Sequence, residues 1–284
     1  MRIGFITYEG IPSLLPSEKE FAALAKGHGI NIEPVIWTKE NELKQFDFII
    51  IRTCWDYFLK FDEFCKWLDR LEKDSIIVWN SLNVIRKNIH KFYLRDIKKY
   101  GAEIIPTIFI NKNSKINLAG EMNKNNWNRA VIKPAVSGGA YKTHLAEAGS
   151  GKFSQDILDE MVEENDVLLQ KYSGKINSEG EWSMIFFNKK YSHSVLKQPS
   201  EGDFRVQAIH GGSYYHTEAP EYLISQARNL LNKIEDKLLY ARVDGINNNG
   251  VLNIMELELI EPELFLETGH AKQNFLDAIL SLKN

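Results

Sequence analysis

The chain has 284 residues, of which 44% are hydrophobic and 26% charged, and its formal net charge at pH 7 is -3. This composition predicts a folded protein large enough for two or three subdomains. A slightly acidic chain lacks the basic field that attracts nucleic acids and anionic membranes, so we expect neither as a partner and favour small-molecule substrates. Two cysteines, no leader-peptide pattern and no apolar run of membrane-spanning length favour a cytoplasmic protein.

Strands and helices alternate over the first 80 residues, which is typical of a small doubly wound α/β domain. The predicted elements are strands at 2–7, 46–52 and 75–79 and helices at 18–26 and 61–71. Ligands of such domains bind beyond the carboxyl ends of the strands. The loops after the strands are therefore the places to search for a binding site.

A loop with charged and aromatic side chains follows the predicted strand at 46–52. Arg52 offers a planar fork for a carboxylate, and Asp56 offers an acceptor for an amine. Trp55 and Tyr57 would add an aromatic wall, and the four together suit an amino-acid-like substrate. The alternative is an Arg52–Asp56 ion pair that only holds the loop, and the residues alone leave both readings open.

The middle of the chain contains a predicted helix at 88–100, a polar connection at 111–128 and a loop of small residues. The loop follows a strand that ends in Lys133. Its small side chains would let backbone amides approach an anion, as phosphate-binding loops require. The loop residues are Ser137, Gly138 and Gly139. A Gly-Gly pair alone is weak evidence, and the segment is not a Walker loop.

Two predicted hairpins dominate the second half of the chain. The first, at 180–199, carries Glu181 near its start and Lys197 near its end. The residues alone favour a strand-edge charge and a gatekeeper against edge pairing. The second, at 239–262, turns through Gly-Ile-Asn-Asn-Asn-Gly, whose Gly and Asn residues tolerate positive φ.

The second hairpin places charged side chains on one face of the predicted sheet. Glu256 and Glu258 lie two residues apart, and hairpin pairing can bring Asp244 alongside them. Such carboxylates suit Mg²⁺, and Arg242 on the same face could contact a phosphate. A solvated outer face of the hairpin is the alternative.

In this order the motifs resemble the ATP-grasp superfamily, whose members carry Arg-x-Asp on one strand and Glu-x-Asn on the next. This chain has Glu258 where most members have Asn. Its ELELIEP and RxxWDY segments are similar to the subgroup that contains the D-cycloserine-forming ligase and prokaryotic glutathione synthetase-like proteins. The resemblance implies a Rossmann-like pre-ATP-grasp domain at 1–85 and an ATP-grasp domain at 86–284. Within the latter it implies a central lid at about 103–169 and a C-terminal subdomain at about 170–284.

The resemblance also implies roles for individual residues. ATP would be bound by Lys91 (with Lys87 as a poorer candidate), Lys133, Ser137, Gly138, Gly139, Gln170, Lys171, Tyr172, Glu181 and Lys197. The metal ligands would be Asp244, Glu256 and Glu258, and the catalytic cations would be Lys197, Arg205 and Arg242. The cofactors would be ATP and Mg²⁺, with two ions expected and Mn²⁺ as an alternative metal.

The implied activity is ADP-forming carboxylate–amine ligation. A small amino-acid-like carboxylate would become an acyl phosphate, which a nitrogen nucleophile would attack in peptide-like ligation or ring closure. Two alternatives remain, a nucleotide-binding regulatory protein without ligase activity and a small-molecule kinase. Members of the superfamily are often dimers, so a homodimer is left open.

Overall fold

The computed structural model describes residues 1–39, 42–149 and 151–283, without the side chains of Ala208 and Lys283. Its strands are β1 (Arg2–Thr7), β2 (Asn31–Ile36), β3 (Phe48–Ile51), β4 (Val78–Trp79), β5 (Thr107–Ile110), β6 (Arg129–Pro134), β7 (His144–Glu147), β8 (Val167–Lys171), β9 (Glu181–Phe187), β10 (Lys190–Gln198), β11 (Ser213–His216), β12 (Tyr240–Asn248) and β13 (Val251–Glu258). Its helices are α1 (Pro16–Lys26), α2 (Phe61–Lys73), α3 (Leu82–Asn88), α4 (Leu94–Lys99), α5 (Leu118–Lys124), α6 (Gly151–Glu164), α7 (Lys175–Glu179), α8 (Glu221–Lys233) and α9 (Ala271–Leu280).

The first sheet is parallel, with strand order β2-β1-β3-β4. Its two faces are covered by different helices because successive strand residues point in opposite directions. Phe5 and Ile50 belong to the apolar cluster formed with α1 and α9. Ile49 and Ile51 belong to the cluster formed with α2. The α/β arrangement predicted for this part of the chain is therefore confirmed.

The second sheet is antiparallel, with order β5-β8-β6-β7, and α5 and α6 pack against it. The predicted exposed connection at 111–128 is partly wrong, because it contains α5. Leu118 and Met122, one helical turn apart, are buried in the apolar cluster. The Asn117 side chain accepts a hydrogen bond from the Gly120 amide at 2.9 Å and so caps the helix.

The third sheet is antiparallel, with order β11-β10-β9-β12-β13. Met184 and Phe186 pack on the side of α8, whereas Ile185 and Phe187 pack on the side of α9. The predicted hairpin at 239–262 is confirmed as β12 and β13. None of the helices in the described part of the chain is long and apolar enough to cross a membrane.

The predicted single helix at 88–100 is wrong. α3 ends at Asn88, a short 3-10 turn covers Lys91–Tyr93, and α4 follows. The chain leaves the helix because the Lys91 amide donates to the Ala135 carbonyl at 2.8 Å, outside the helix. This break turns the Lys91 side chain toward the third sheet.

The first domain is fastened to the carboxylate strand β13 by side-chain amides. Asn88 donates to the Leu257 carbonyl at 2.8 Å and accepts from the Leu259 amide at 3.0 Å. Asn80 donates to the carbonyls of Leu259 and Tyr240 at 2.8 and 2.9 Å. These bonds satisfy backbone groups at the end of β13 and at the start of β12.

Candidate active site

A row of charged side chains crosses four strands of the third sheet on one face. Lys197 on β10 pairs in register with Glu181 on β9, and Asp244 on β12 pairs with Ser183 and with Glu256 on β13. The Lys197 Nζ lies 3.4 Å from carboxylate oxygens of both Glu181 and Asp244. The Ser183 hydroxyl donates to Asp244 at 2.6 Å. The period-2 geometry of strands thus brings the predicted charges together.

Arg242 neutralises two of the three predicted metal ligands. Its guanidinium contacts both Asp244 oxygens, with the shortest distance 2.8 Å, and also binds Glu258. Burial would raise the pKa of Asp244, but the charges of Arg242 and Lys197 outweigh it and hold that pKa at about 2. Burial raises the pKa of Glu258 to about 7, with Glu256 and Asp244 adding to the rise.

Two lysines from other elements close the row. The Lys91 Nζ donates to the Ser137 carbonyl at 2.6 Å and lies 3.1 Å from Glu256. The Lys133 Nζ donates to the Gln170 side chain at 3.1 Å, and burial lowers the pKa of this lysine. Burial would raise the pKa of Glu256, but Lys91 and Lys133 lower it. Lys91, in the 3-10 turn, and Lys133, on β6, therefore face the carboxylates of the third sheet.

The loop after β6 has the form of an anion cradle. A Cβ atom at Gly138 would lie 3.0 Å from the Phe58 ring, and Gly139 has a φ of +56°, so both positions favour glycine. Within the described residues, the amides of Gly138 and Gly139 donate to no protein acceptor. Because they have no such acceptor, these amides are available to a ligand. They lie next to Ser137, whose carbonyl binds Lys91.

The backbone amides at the end of β8 already have hydrogen-bond partners in the protein. The amides of Lys171 and Tyr172 donate to the carbonyls of Pro106 and Arg129 at 2.8 and 3.1 Å. These two amides cannot also donate to a ligand, so the ATP contact that the resemblance implies for Gln170, Lys171 and Tyr172 would have to use other groups of this stretch. Lys171 is exposed, whereas the neighbouring Gln170 is buried and faces Lys133.

The prediction that Arg52 binds a substrate carboxylate is wrong. Its Nε lies 2.9 Å from Glu18, its Nη1 donates to the Pro262 carbonyl at 3.0 Å, and both side chains are 1% exposed. The charge of Arg52 is already neutralised in the interior. The alternative Arg52–Asp56 pair is also wrong, because Asp56 binds Lys60 instead.

The other three residues of this loop also have protein partners. Asp56 accepts a hydrogen bond from the Trp37 indole at 2.8 Å, and Tyr57 is buried in the apolar cluster around α2. Trp55 contacts the segment after β13, where its indole donates to the Glu261 carbonyl at 3.1 Å. Asp56 and Tyr57 are thus corrected to packing and hydrogen-bonding roles.

Arg205 lies in the loop between β10 and β11. In the described residues its guanidinium hydrogen bonds all go to Asp203, the shortest at 2.8 Å. This pairing holds the pKa of Asp203 far below its usual range. The structure therefore does not bring Arg205 into the charged row, and its catalytic role stays a prediction.

Comparison with known proteins supports the same fold. Residues 3–80 match the family model described as the N-terminal domain of D-cycloserine synthetase DcsG. The cycloserine biosynthesis protein DcsG of Streptomyces lavendulae is 24% identical over 259 residues, which cover 84% of each chain. A crystal structure of DcsG superposes on the whole of both chains with a TM-score of 0.88 and 19% identity.

The chain therefore has the fold of the ATP-grasp ligases, and its first 80 residues are similar to the N-terminal domain of D-cycloserine synthetase.

Two further solved structures agree with this assignment. The D-alanine–D-alanine ligase of Bacillus anthracis complexed with ATP gives a TM-score of 0.65 at 20% identity, covering 99% of this chain and 96% of that one. The ATP-grasp ligase PsnB complexed with a phosphomimetic precursor variant, Mg and ADP gives 0.62 at 12% identity, covering 99% and 98%. The predicted fold class is confirmed.

The carboxylates of the candidate site provide the kind of donor atoms that Mg²⁺ prefers. Asp244, Glu256 and Glu258 present hard oxygen ligands on one face. Within the ranges that the structure describes, no three His, Cys, Asp or Glu side chains are already arranged around one metal position. Arg242 and Lys91 hold these carboxylates instead, so binding a metal requires the carboxylates to turn away from those cations.

One residue of the charged row was not predicted. Ser183 lies two positions after Glu181, so the alternation of β9 could have placed it in the row. Its hydroxyl hydrogen bonds to Asp244 there.

Proposed function

We propose that this protein is a Mg²⁺-dependent ligase that activates a small carboxylate as an acyl phosphate and joins it to a nitrogen nucleophile. ATP would be converted to ADP and phosphate in the reaction. The observation that carries the proposal is the row of cations and carboxylates across β10, β9, β12 and β13, faced by lysines and by a loop with free amides. The named ligands of the similar structures, ATP in one and Mg with ADP in another, support these cofactors.

Positioning and charge neutralisation would perform the first step. A substrate carboxylate is already ionised at neutral pH, so no general base is needed to form the acyl phosphate. Lys91, Lys133 and Lys197 would hold the phosphates of ATP, and the amides of Gly138 and Gly139 would bind phosphate oxygens. Glu181 would accept hydrogen bonds from the ribose hydroxyls.

Arg242 lies two residues from Asp244 and would neutralise charge on the transferred phosphoryl group. Asp244, Glu256 and Glu258 would hold two Mg²⁺ ions, with Mn²⁺ able to replace them, and these ions would neutralise phosphate charge when bound. Glu258 distinguishes this site from the commoner Asn pattern, because it adds a negative charge beside the other two carboxylates.

Amino-acid-like carboxylates and amines are the proposed substrates, and both ring closure and ligation of two molecules use the same nucleotide site. ADP release is measured against the twenty amino acids, their D-enantiomers and small carboxylates, singly and in pairs. Hydroxylamine in the same assay converts an acyl phosphate to a hydroxamate. We expect ADP and hydroxamate in equal amounts with the true carboxylate.

Two other outcomes would replace the proposal. ADP formation without hydroxamate, together with a stable phosphorylated product, would indicate a small-molecule kinase. ATP binding without ADP formation across the whole panel would indicate a regulatory protein. Lys133→Ala serves as the site control and should raise the KM for ATP about tenfold, because it removes a phosphate cation.

A further inference from the structure

One carboxylate near the charged row has no partner. Among the described residues, the side chain of Glu261 makes no hydrogen bond and no ion pair, whereas Glu256 binds Lys91 and Glu258 binds Arg242. Glu261 follows three residues after Glu258, the last residue of β13, and its backbone carbonyl accepts a hydrogen bond from Trp55 in the loop after β3. Glu261 therefore lies between the row and that loop.

Side chains hydrogen bond to three consecutive backbone carbonyls at residues 261–263 and so fix the backbone around Glu261. Trp55 donates to the carbonyl of Glu261 at 3.1 Å, Arg52 to that of Pro262 at 3.0 Å, and Arg242 to that of Glu263 at 3.3 Å. A loop fixed in this way presents its side chains at defined positions, as a binding site needs. The unpartnered carboxylate is thus on a braced segment of backbone.

We propose that Glu261 binds the ammonium group of an amino-acid substrate and so selects amino acids over carboxylates that lack the amine. The proposal rests on the proposed function and adds to it one recognition residue and the charge of the group recognised.

The surrounding charges favour a cation at this position. The cations of this region already have carboxylate partners, since Lys91 binds Glu256, Arg242 binds Glu258 and Arg52 binds Glu18. A partly buried carboxylate beside Glu258 is therefore short of positive charge, and a charge-assisted hydrogen bond from an ammonium group would supply it. The same ion pair would be absent with a deaminated substrate, so the site would discriminate between the two.

The test compares Glu261→Gln with the wild-type protein, using the panel amino acid that gives the most ADP and its deaminated analogue. We expect Gln to raise the KM for the amino acid at least tenfold, with less than a twofold change for ATP and for the Mg²⁺ concentration at half-maximal rate. The preference for the amino acid over its analogue should shrink by the same factor.

Glu263→Gln is the matched control, since its carboxylate lies two residues away and accepts a hydrogen bond from the Phe265 amide. It should leave the substrate preference unchanged. A urea titration of each variant checks that the fold is retained, and Glu261→Asp should recover part of the preference because it keeps the charge. Titration calorimetry of the same amino acid with a non-hydrolysable ATP analogue and Mg²⁺ gives a readout without turnover.

Two results would overturn the inference while leaving the ligase proposal intact. One is an unchanged preference in Glu261→Gln, and the other is a larger shift in the Mg²⁺ requirement than in the amino-acid KM, which would make Glu261 a metal ligand. ADP release with small carboxylates but with no amino acid would overturn this inference alone, whereas failure to release ADP across the whole panel would overturn the proposed function and this inference together.

Discussion

The loop after β3 and the β12–β13 hairpin both carry charged residues, yet the structure uses them differently. In the loop, Arg52 and its partner Glu18 are each 1% exposed and form a closed pair. In the hairpin, the side chains of Glu256 and Glu258 remain 31% and 24% exposed, although both are ion-paired. The loop charges stabilise the fold, and the two hairpin glutamates remain accessible to ligands.

The difference follows from where the partners lie in the chain. Arg242 and Asp244 are two residues apart, so strand alternation alone places them on one face. Arg52 binds Glu18 and Pro262, which are 34 and 210 residues away. A local pattern can predict the first arrangement but not the second, because only tertiary packing decides which distant group meets an arginine.

The largest expected effect tests the bracing role of the loop. Arg52→Ala should lower the free energy of unfolding by about 3–5 kcal/mol, because it leaves Glu18 buried without a counter-charge. Urea unfolding measures this loss. Arg86→Ala is the control, since Arg86 pairs with Asp69 and Glu72 at the surface and should cost less than about 1 kcal/mol. Equal losses for the two variants would contradict the bracing role.

The second effect tests the hairpin. Glu256→Gln should reduce kcat at least about 100-fold, about 2.7 kcal/mol in activation free energy, because it removes a charge that holds metal and phosphate. Its stability should change little, since the side chain is partly exposed. Glu164→Gln, at a surface pair with Lys142, should keep full activity. A variant at Glu256 that keeps more than a tenth of the wild-type rate would disprove its assignment as a metal ligand.

A third prediction concerns the role of Glu258 among the hairpin carboxylates. Glu258→Asn should raise the Mg²⁺ concentration at half-maximal rate several-fold and retain part of the turnover, because Asn keeps an oxygen ligand and loses a charge. A Mg²⁺ titration of initial rates makes the measurement. Identical titrations for the two proteins would mean that Glu258 serves only to bind Arg242.

The smallest effect is on the pH dependence of stability. Burial raises the pKa of Glu258 from 4.5 to about 7 and that of Glu261 to about 8, so folding favours their protonated forms. Their contribution is complete below pH 4.5 and is lost as the pH rises to about 8. The ligand-free protein should therefore have a lower melting temperature at pH 8.5 than at pH 6.5.

This window avoids His193, whose pKa burial lowers to about 4, so that its loss of stability occurs as the pH falls below 6.5. The double variant Glu258→Asn, Glu261→Gln should flatten the melting-temperature profile between pH 6.5 and 8.5. A slope that persists in the double variant would assign the pH dependence to other groups.

The sequence predicted the parts of the molecule that depend on local pattern. The hairpins at 180–199 and 239–262 and the α/β alternation of the first domain follow from period-2 and period-3.6 spacing. The break after Asn88 was missed, because the Lys91 amide bonds to Ala135, a contact that spacing cannot show. Strands β2, β7 and β11 were missed as well, since polar residues, and Pro34 in β2, interrupt their apolar pattern.

The side-chain amide of Asn88 ties α3 to the end of β13. Asn88 holds Leu257 and Leu259 as a neighbouring strand would, donating to one backbone carbonyl and accepting from one backbone amide. The strand that carries Glu256 and Glu258 thus takes its register partly from α3. Any recombination between relatives must therefore exchange α3 and β13 as one unit.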